Sequence, residues 1–233
     1  MRSCAKPFQA LPLIKSKSFP MLQVSSSQLA VIVASHTGEK IHINVLQDLL
    51  TKNHMTSKML TCGLHYPFNK TETETLIKQN KKPTVLHNNC SGKHIGMLLT
   101  AKLRGWTVSD YADYSHPVQE MIRQELEDIL MWPASKFISA KDGCGVPTYA
   151  IPLKKLALAY CKLGRSINKQ TEVQTIAHAM ISQPQLIAGE GLLETELMKR
   201  LRDRIILKRG ADGVLCAAIP EMELGLAIKI ESG

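Results

Sequence analysis

The chain has 233 residues, 44% of them hydrophobic and 21% charged, which is a globular composition and excludes a disordered chain. No apolar run exceeds six residues, far short of the roughly 18 that a membrane-spanning helix needs. Lys and Arg outnumber Asp and Glu by 29 to 20, for a formal charge of +9. The basic residues are scattered, and aromatics are only 5% of the chain. No aromatic and basic stripe exists to stack bases, so nucleic acid is not expected as a partner. The basic start Met1-Arg2 is not followed by an apolar segment of the secretory kind. None of the six cysteines forms a Cys-x-x-Cys pair. A reduced, cytoplasmic chain is the expectation.

In chain order, Leu29 to Ala34 is an apolar run that periodicity assigns to neither helix nor strand. His42 to Asn53 reads as a helix with Ile43, Leu46, Leu49 and Leu50 on one face. Glu72 to Gln79 is a short polar helix ended before Pro83. Gly92 to Leu103 reads as a helix closed by Arg104-Gly105. Pro117 to Met131 has proline at its start and a regular apolar stripe. Leu153 to Leu163 follows, with Gly164 expected to close it, then Val173 to Ile181 and Leu192 to Leu201. Val214 to Ile219 and Leu224 to Ile230 are bounded by glycine or proline and read as strands. Late strands after many helices predict a single α+β domain over residues 1–233.

Five segments carry chemistry-bearing residues. Ser3 and Lys6 have the i, i+3 spacing that puts a hydroxyl and an amine on one helical face. A neutral lysine there can take the serine proton and make a nucleophile. The same spacing recurs at Ser166 and Lys169 in a polar stretch. Lys208-Arg209-Gly210 lies just before the Val214 strand, where serine acyl-transfer enzymes of the penicillin-recognising type place Lys-Thr-Gly. Ala34-Ser-His-Thr-Gly-Glu39 packs hydroxyl, imidazole and carboxylate groups after an apolar run, and equally suits a turn capped by Ser or Thr. His87-Asn-Asn-Cys-Ser-Gly-Lys-His94 opens a helix, and Asp142-Gly-Cys-Gly-Val-Pro147 is a tight loop. Cys90 and Cys144, from these two loops, could share Zn²⁺, whereas Cys62, Cys161 and Cys216 have apolar surroundings and are expected in the core.

Together, the five motifs, with Arg2-Ser-x-x-Lys-Pro-Phe-Gln-Ala-Leu-Pro-Leu13 and Gly210-Ala-Asp-Gly-Val214 completing them, resemble the L-asparaginase II family of the rhizobial type. The likeness spans nearly the whole chain. It implies a fold like the serine β-lactamases and glutaminases, with an antiparallel sheet flanked by helices and a helical subdomain. It implies hydrolysis of L-asparagine to L-aspartate and ammonia. By motif match, Ser3 and Lys6 fall on the first Ser–Lys pair and Ser35 on the second active-site serine, with Lys208 as its partner and Lys229 as a rival. Cys90, Lys93 and Cys144 fall on zinc ligands. His94 and Asp142 fall on supporting, substrate-binding positions. The chain departs from the family at Arg209, at Gln183-Pro184 and at Gly191-Leu192. A homodimer is left open. The alternatives are a catalytically degenerate, zinc-stabilised module of the same fold, or a β-lactamase or penicillin-binding enzyme. Compared with the family, the chain is expected to be incomplete at both ends, with a bare edge strand, apolar surface near residues 7–14 and 214–230, and weak or no activity when alone.

Overall fold

The computed structural model describes residues 1–233. A 3-10 turn, Arg2–Ala5, runs into the short helices α1 (Lys6–Gln9) and α2 (Leu11–Ile14). Then come α3 (Ser26–Val33), α4 (Lys40–Lys52), α5 (Lys70–Lys78), α6 (Ser91–Leu103) and α7 (Pro117–Leu130). The hairpin β1 (Ile138–Lys141) and β2 (Pro147–Ala150) separates these from α8 (Leu153–Arg165), α9 (Glu172–Ser182), α10 (Pro184–Ile187) and α11 (Leu193–Leu201). Strands β3 (Ile206–Gly210), β4 (Val214–Ile219) and β5 (Leu224–Lys229) close the chain as an antiparallel sheet in that order. The fold is therefore α+β, with two small antiparallel sheets rather than one large one.

The ambiguous run at Leu29 is helical because its start is capped. Ser25 Oγ accepts from the Gln28 amide, and the Gln28 side chain accepts from the Ser25 amide. The α3 helix is buried along nearly its whole length, which is why its pattern shows no polar face. Residues 7–14 are buried in the core, contrary to the expected apolar surface. They form α1 and α2 and pack against α6 and α7. Gly164 does not end α8 but lies inside it, where an added Cβ would sit 3.1 Å from the Ala218 Cβ. Met131 ends α7 in the left-handed conformation, one residue earlier than the apolar stripe suggests. Lys208 lies in β3, a strand that the sequence did not separate from the Val214 strand. Cys161 is only partly buried, and its thiol donates to the Glu223 carbonyl, so it is not a core cysteine.

The α8 helix covers one face of the sheet. Gly225 makes this possible, since a Cβ there would meet the Ala157 carbonyl at 2.0 Å and the Cys161 amide at 2.3 Å. On β5 the alternate residues Leu224, Leu226 and Ile228 are exposed, as is Ile230 beyond its end, and no strand pairs with the outer edge of β5. That part of the expected apolar surface and bare edge is present.

Because backbone of α8 fills the space, Gly225→Ala is expected to destabilise the protein by about 3 kcal/mol. Urea denaturation followed by circular dichroism measures it, and a loss under about 0.5 kcal/mol would refute this packing.

Candidate active site and thiol cluster

The first turn presents Ser3 and Lys6 because Cys4, between them, is pinned to the sheet. The Cys4 Sγ lies 3.1 Å from the Lys208 carbonyl oxygen. Gly210 lets the turn approach, since its Cβ would stand 3.3 Å from both Arg2 Cβ and Cys4 Sγ. Ser35 follows α3 in an extended segment tied to the α10 end. Its amide donates to Ile187 O at 3.0 Å and that of Thr37 to Ala188 O at 2.8 Å. These two tethers bring the serines together: Ser35 Oγ donates to Ser3 Oγ at 3.3 Å, and Asn89 Nδ2 donates to Ser35 Oγ at 3.1 Å.

Both hydroxyls open into a cavity of about 390 Å³. Asn89 and Thr37 share its wall, Phe68 and Leu192 add apolar lining, and Arg209 supplies the only ionic side chain in the lining. Asn89 sits inside a motif that the sequence singled out, yet it was not assigned a role. The available signal was a small amide side chain one residue before a helix-opening cysteine. The Asn89 backbone N–H donates to His65 Nε2 at 3.1 Å, which places His65 behind the site.

Two lysines lie beneath the serines. Lys6 and Lys208 are each only 1% exposed. Burial is the chief force lowering both amines from the usual lysine range. For Lys208, the Lys6 charge adds to burial, and its pKa falls to about 7. Neither amine is hydrogen-bonded to a serine. Lys6 Nζ donates to Ala34 O at 2.6 Å and Asn89 O at 2.9 Å, while Lys208 Nζ donates to Arg209 O at 2.9 Å. Lys229 is exposed on β5, two strands away from Ser3, and does not reach this group.

Cys90, Lys93 and Cys144 meet in a second cluster. Cys90 precedes α6, Lys93 lies in its first turn, and Cys144 stands in the β1–β2 loop, which Gly145 turns with a φ of +92°. Lys93 Nζ is 3.1 Å from Cys144 Sγ and 3.9 Å from Asp142 Oδ2. The proximity of the two sulfurs holds Cys90 well below the usual thiol range and pushes Cys144 up. Burial opposes the Lys93 charge, but Cys90, Cys144 and Asp142 together outweigh it and raise its pKa. Asp142 also pairs with Arg2 at 3.0 Å, linking this cluster to the Ser3 turn.

Asp142 thus sits in the thiol cluster and not in the cavity lining. His94 is likewise outside the lining: it is fully buried, with Nδ1 2.7 Å from the Tyr111 hydroxyl. Direct substrate contact by either residue has no support in this geometry. No three side chains of His, Cys, Asp and Glu converge as a metal set, so a metal here would need the Lys93 amine. Two sulfurs and one amine nitrogen nonetheless suit the borderline-soft Zn²⁺, provided that the protons leave.

Lys208 ties the site to folding. Its folded pKa lies below its unfolded value, so between about pH 7 and 10.4 the unfolded chain binds more protons. Stability from this group is therefore lowest below pH 7 and rises toward pH 10. Urea midpoints from pH 6 to 10 are expected to rise less in Lys208→Met than in the wild-type chain. Parallel pH profiles would show that the buried amine stays charged.

Among protein-family models, the one for L-asparaginase II matches residues 1–233. No curated protein matches the chain. Because the match extends over every residue that builds the serine cavity and the thiol cluster, the chain belongs to the L-asparaginase II family.

Proposed function

We propose that this protein hydrolyses L-asparagine to L-aspartate and ammonia through Ser3, assisted by Lys6, Ser35 and Lys208. The observation that carries the reading is the 3.3 Å approach of two serine hydroxyls in one cavity, with two dehydrated lysines buried behind its lining. An amide is a weak electrophile and its leaving amine must gain a proton. Ser3 Oγ attacks the side-chain amide carbon, and neutral Lys6 receives its proton. Ser35 and Lys208 relay that proton from Lys6 to the departing nitrogen, and ammonia leaves. Water then cleaves the Ser3 ester, releasing L-aspartate and restoring the hydroxyl. Both lysines must start neutral, which their burial favours. The β-lactamase- and glutaminase-like arrangement belongs to this same reading.

The family resemblance also assigns Zn²⁺ to Cys90, Lys93 and Cys144. When bound there it supplies a positive centre whose charge two thiolates cancel, a role suited to orienting groups. The chain's own residues in that cluster hold the β1–β2 loop against α6, and Arg2–Asp142 carries that constraint to the Ser3 turn.

One observation favours a second reading, a non-catalytic module of the same family. Lys6 spends hydrogen bonds on two backbone carbonyls and makes none to Ser3. Ammonia release from L-asparagine separates the two readings. The hydrolase reading expects turnover that falls at least about a thousandfold in Ser3→Ala with the fold intact. Normal turnover in Ser3→Ala and none in Ser35→Ala would reverse the nucleophile assignment. No turnover by the wild-type chain favours the module.

Zinc content is expected to be one ion per chain, lost in Cys90→Ser and Cys144→Ser. Because Lys93 holds its proton strongly, zinc affinity should climb with pH. Competition with a chromogenic chelator between pH 6 and 9 measures this, and a flat profile would exclude the Lys93 amine as a ligand.

A further inference from the structure

The serine cavity has an uneven charge that the hydrolytic chemistry does not use. Its lining holds hydroxyls, an amide and apolar groups, and one ionic side chain, Arg209. Lys6 and Lys208 lie beneath the lining rather than in it. The next residue after Lys208 on β3 must point to the opposite side of the strand. The strand thus alternates a buried amine with a half-exposed guanidinium, and of the two only Arg209 lines the cavity.

Arg209 is held by one anchor. Its Nε stands 2.7 Å from Glu194 Oε1, and that carboxylate is only 4% exposed. Glu194 comes from the first turn of α11, so the anchor is set by a helix rather than a loop. The closest approach of the ion pair is at Nε, Glu194 is the one carboxylate paired with Arg209, and neither Nη group makes a hydrogen bond within the protein. A planar guanidinium with two free N–H-bearing nitrogens matches a carboxylate in a bidentate pair. Fixing Nε in advance removes rotamer freedom that binding would otherwise have to quench. Opposite Arg209, the cavity presents no carboxylate that would compete for those donors.

Resting on the asparaginase reading above, we infer that Arg209, anchored by Glu194, binds the α-carboxylate of the substrate and so selects amides that carry a carboxylate. Ser3 and Ser35 then face the amide end of the same small molecule. A neutral amide of equal length loses the paired contact and leaves the guanidinium without its anion.

Calorimetric titration of the full chain with L-aspartate, the product that keeps both ends, tests this. Replacing Arg209 alone would strand a buried carboxylate, so the test variant is Arg209→Gln with Glu194→Gln, alongside Arg209→Lys. The double variant is expected to bind L-aspartate at least about tenfold more weakly, and Arg209→Lys to fall between, as loss of a charge-assisted pair predicts. In turnover, selectivity for L-asparagine over 3-aminopropanamide, which lacks the carboxylate, is expected to drop by a similar factor through KM rather than kcat. Equal L-aspartate binding by folded wild type and double variant, or no binding by the wild type, would overturn the inference. So would unchanged selectivity with hydrolysis intact, which leaves the asparaginase reading standing. Arginine-dependent L-aspartate binding without any hydrolysis would support Arg209 while removing the hydrolase reading.

Discussion

The amine of Lys6 is the tie on which the site depends. It is almost completely buried, and its Nζ bonds the carbonyls of Ala34 and Asn89. One side chain from the first turn thereby fixes the residue before Ser35 and the residue before Cys90. A buried ammonium or amine left without such acceptors would cost several kcal/mol, so the three segments cannot separate cheaply. The short distances among Ser3, Ser35 and Asn89 follow from this constraint. The same burial that requires the tie also lowers the Lys6 pKa, so structural anchoring and readiness to accept a proton have one cause.

The close passage of α6 against α3 gives the tie its geometry. At Gly92 an added Cβ would stand 1.8 Å from the Val31 carbonyl oxygen, and at Gly96 2.8 Å from Ile32 Cγ2. Two glycines four residues apart thus line one face of α6 and admit the neighbouring helix. The end of α3 comes to rest beside the start of α6, and Ser35 and Asn89 are the residues just past those ends. Gly92 lies inside the His87–His94 motif for this packing reason, independently of any ligand.

Much of this was legible in the sequence. The amphipathic helices α4, α7 and α8 show their stripes because each keeps one wet face. The apolar run at Leu29 hid its helix because α3 is wrapped on all sides, and only the Ser25 and Gln28 cap betrays it. Residues 7–14 carry no readable period because two four-residue helices are too short for one to emerge. Ser3, Lys6, Ser35, Cys90, Lys93, Cys144 and Lys208 could be picked from motifs, but Asn89 and Glu194 could not. Asn89 and Glu194 matter through contacts made across 54 residues and 15 residues of chain, respectively. Spacing rules describe neighbours on one element and carry no information about such meetings.

Electrostatics explains why two positively inclined clusters can coexist in one core. Burial pushes Lys6 and Lys208 toward neutrality, and the Lys6 charge adds to the effect at Lys208. Lys93, in the first turn of α6, has the opposite fate because its contacts with Cys90, Cys144 and Asp142 outweigh its burial. Three buried lysines therefore divide into two amines poised to accept protons and one that keeps its own. The boundary is Cys90, whose thiolate is favoured by Lys6 and Lys93 as well as by the Cys144 thiol. Any change in the charge of the thiol cluster would be felt at Lys6 through that sulfur. Coulomb interactions in such a dehydrated interior are stronger at a given distance than in water. The thiol cluster and the serine cavity are accordingly one electrostatic unit, although they share no lining residue.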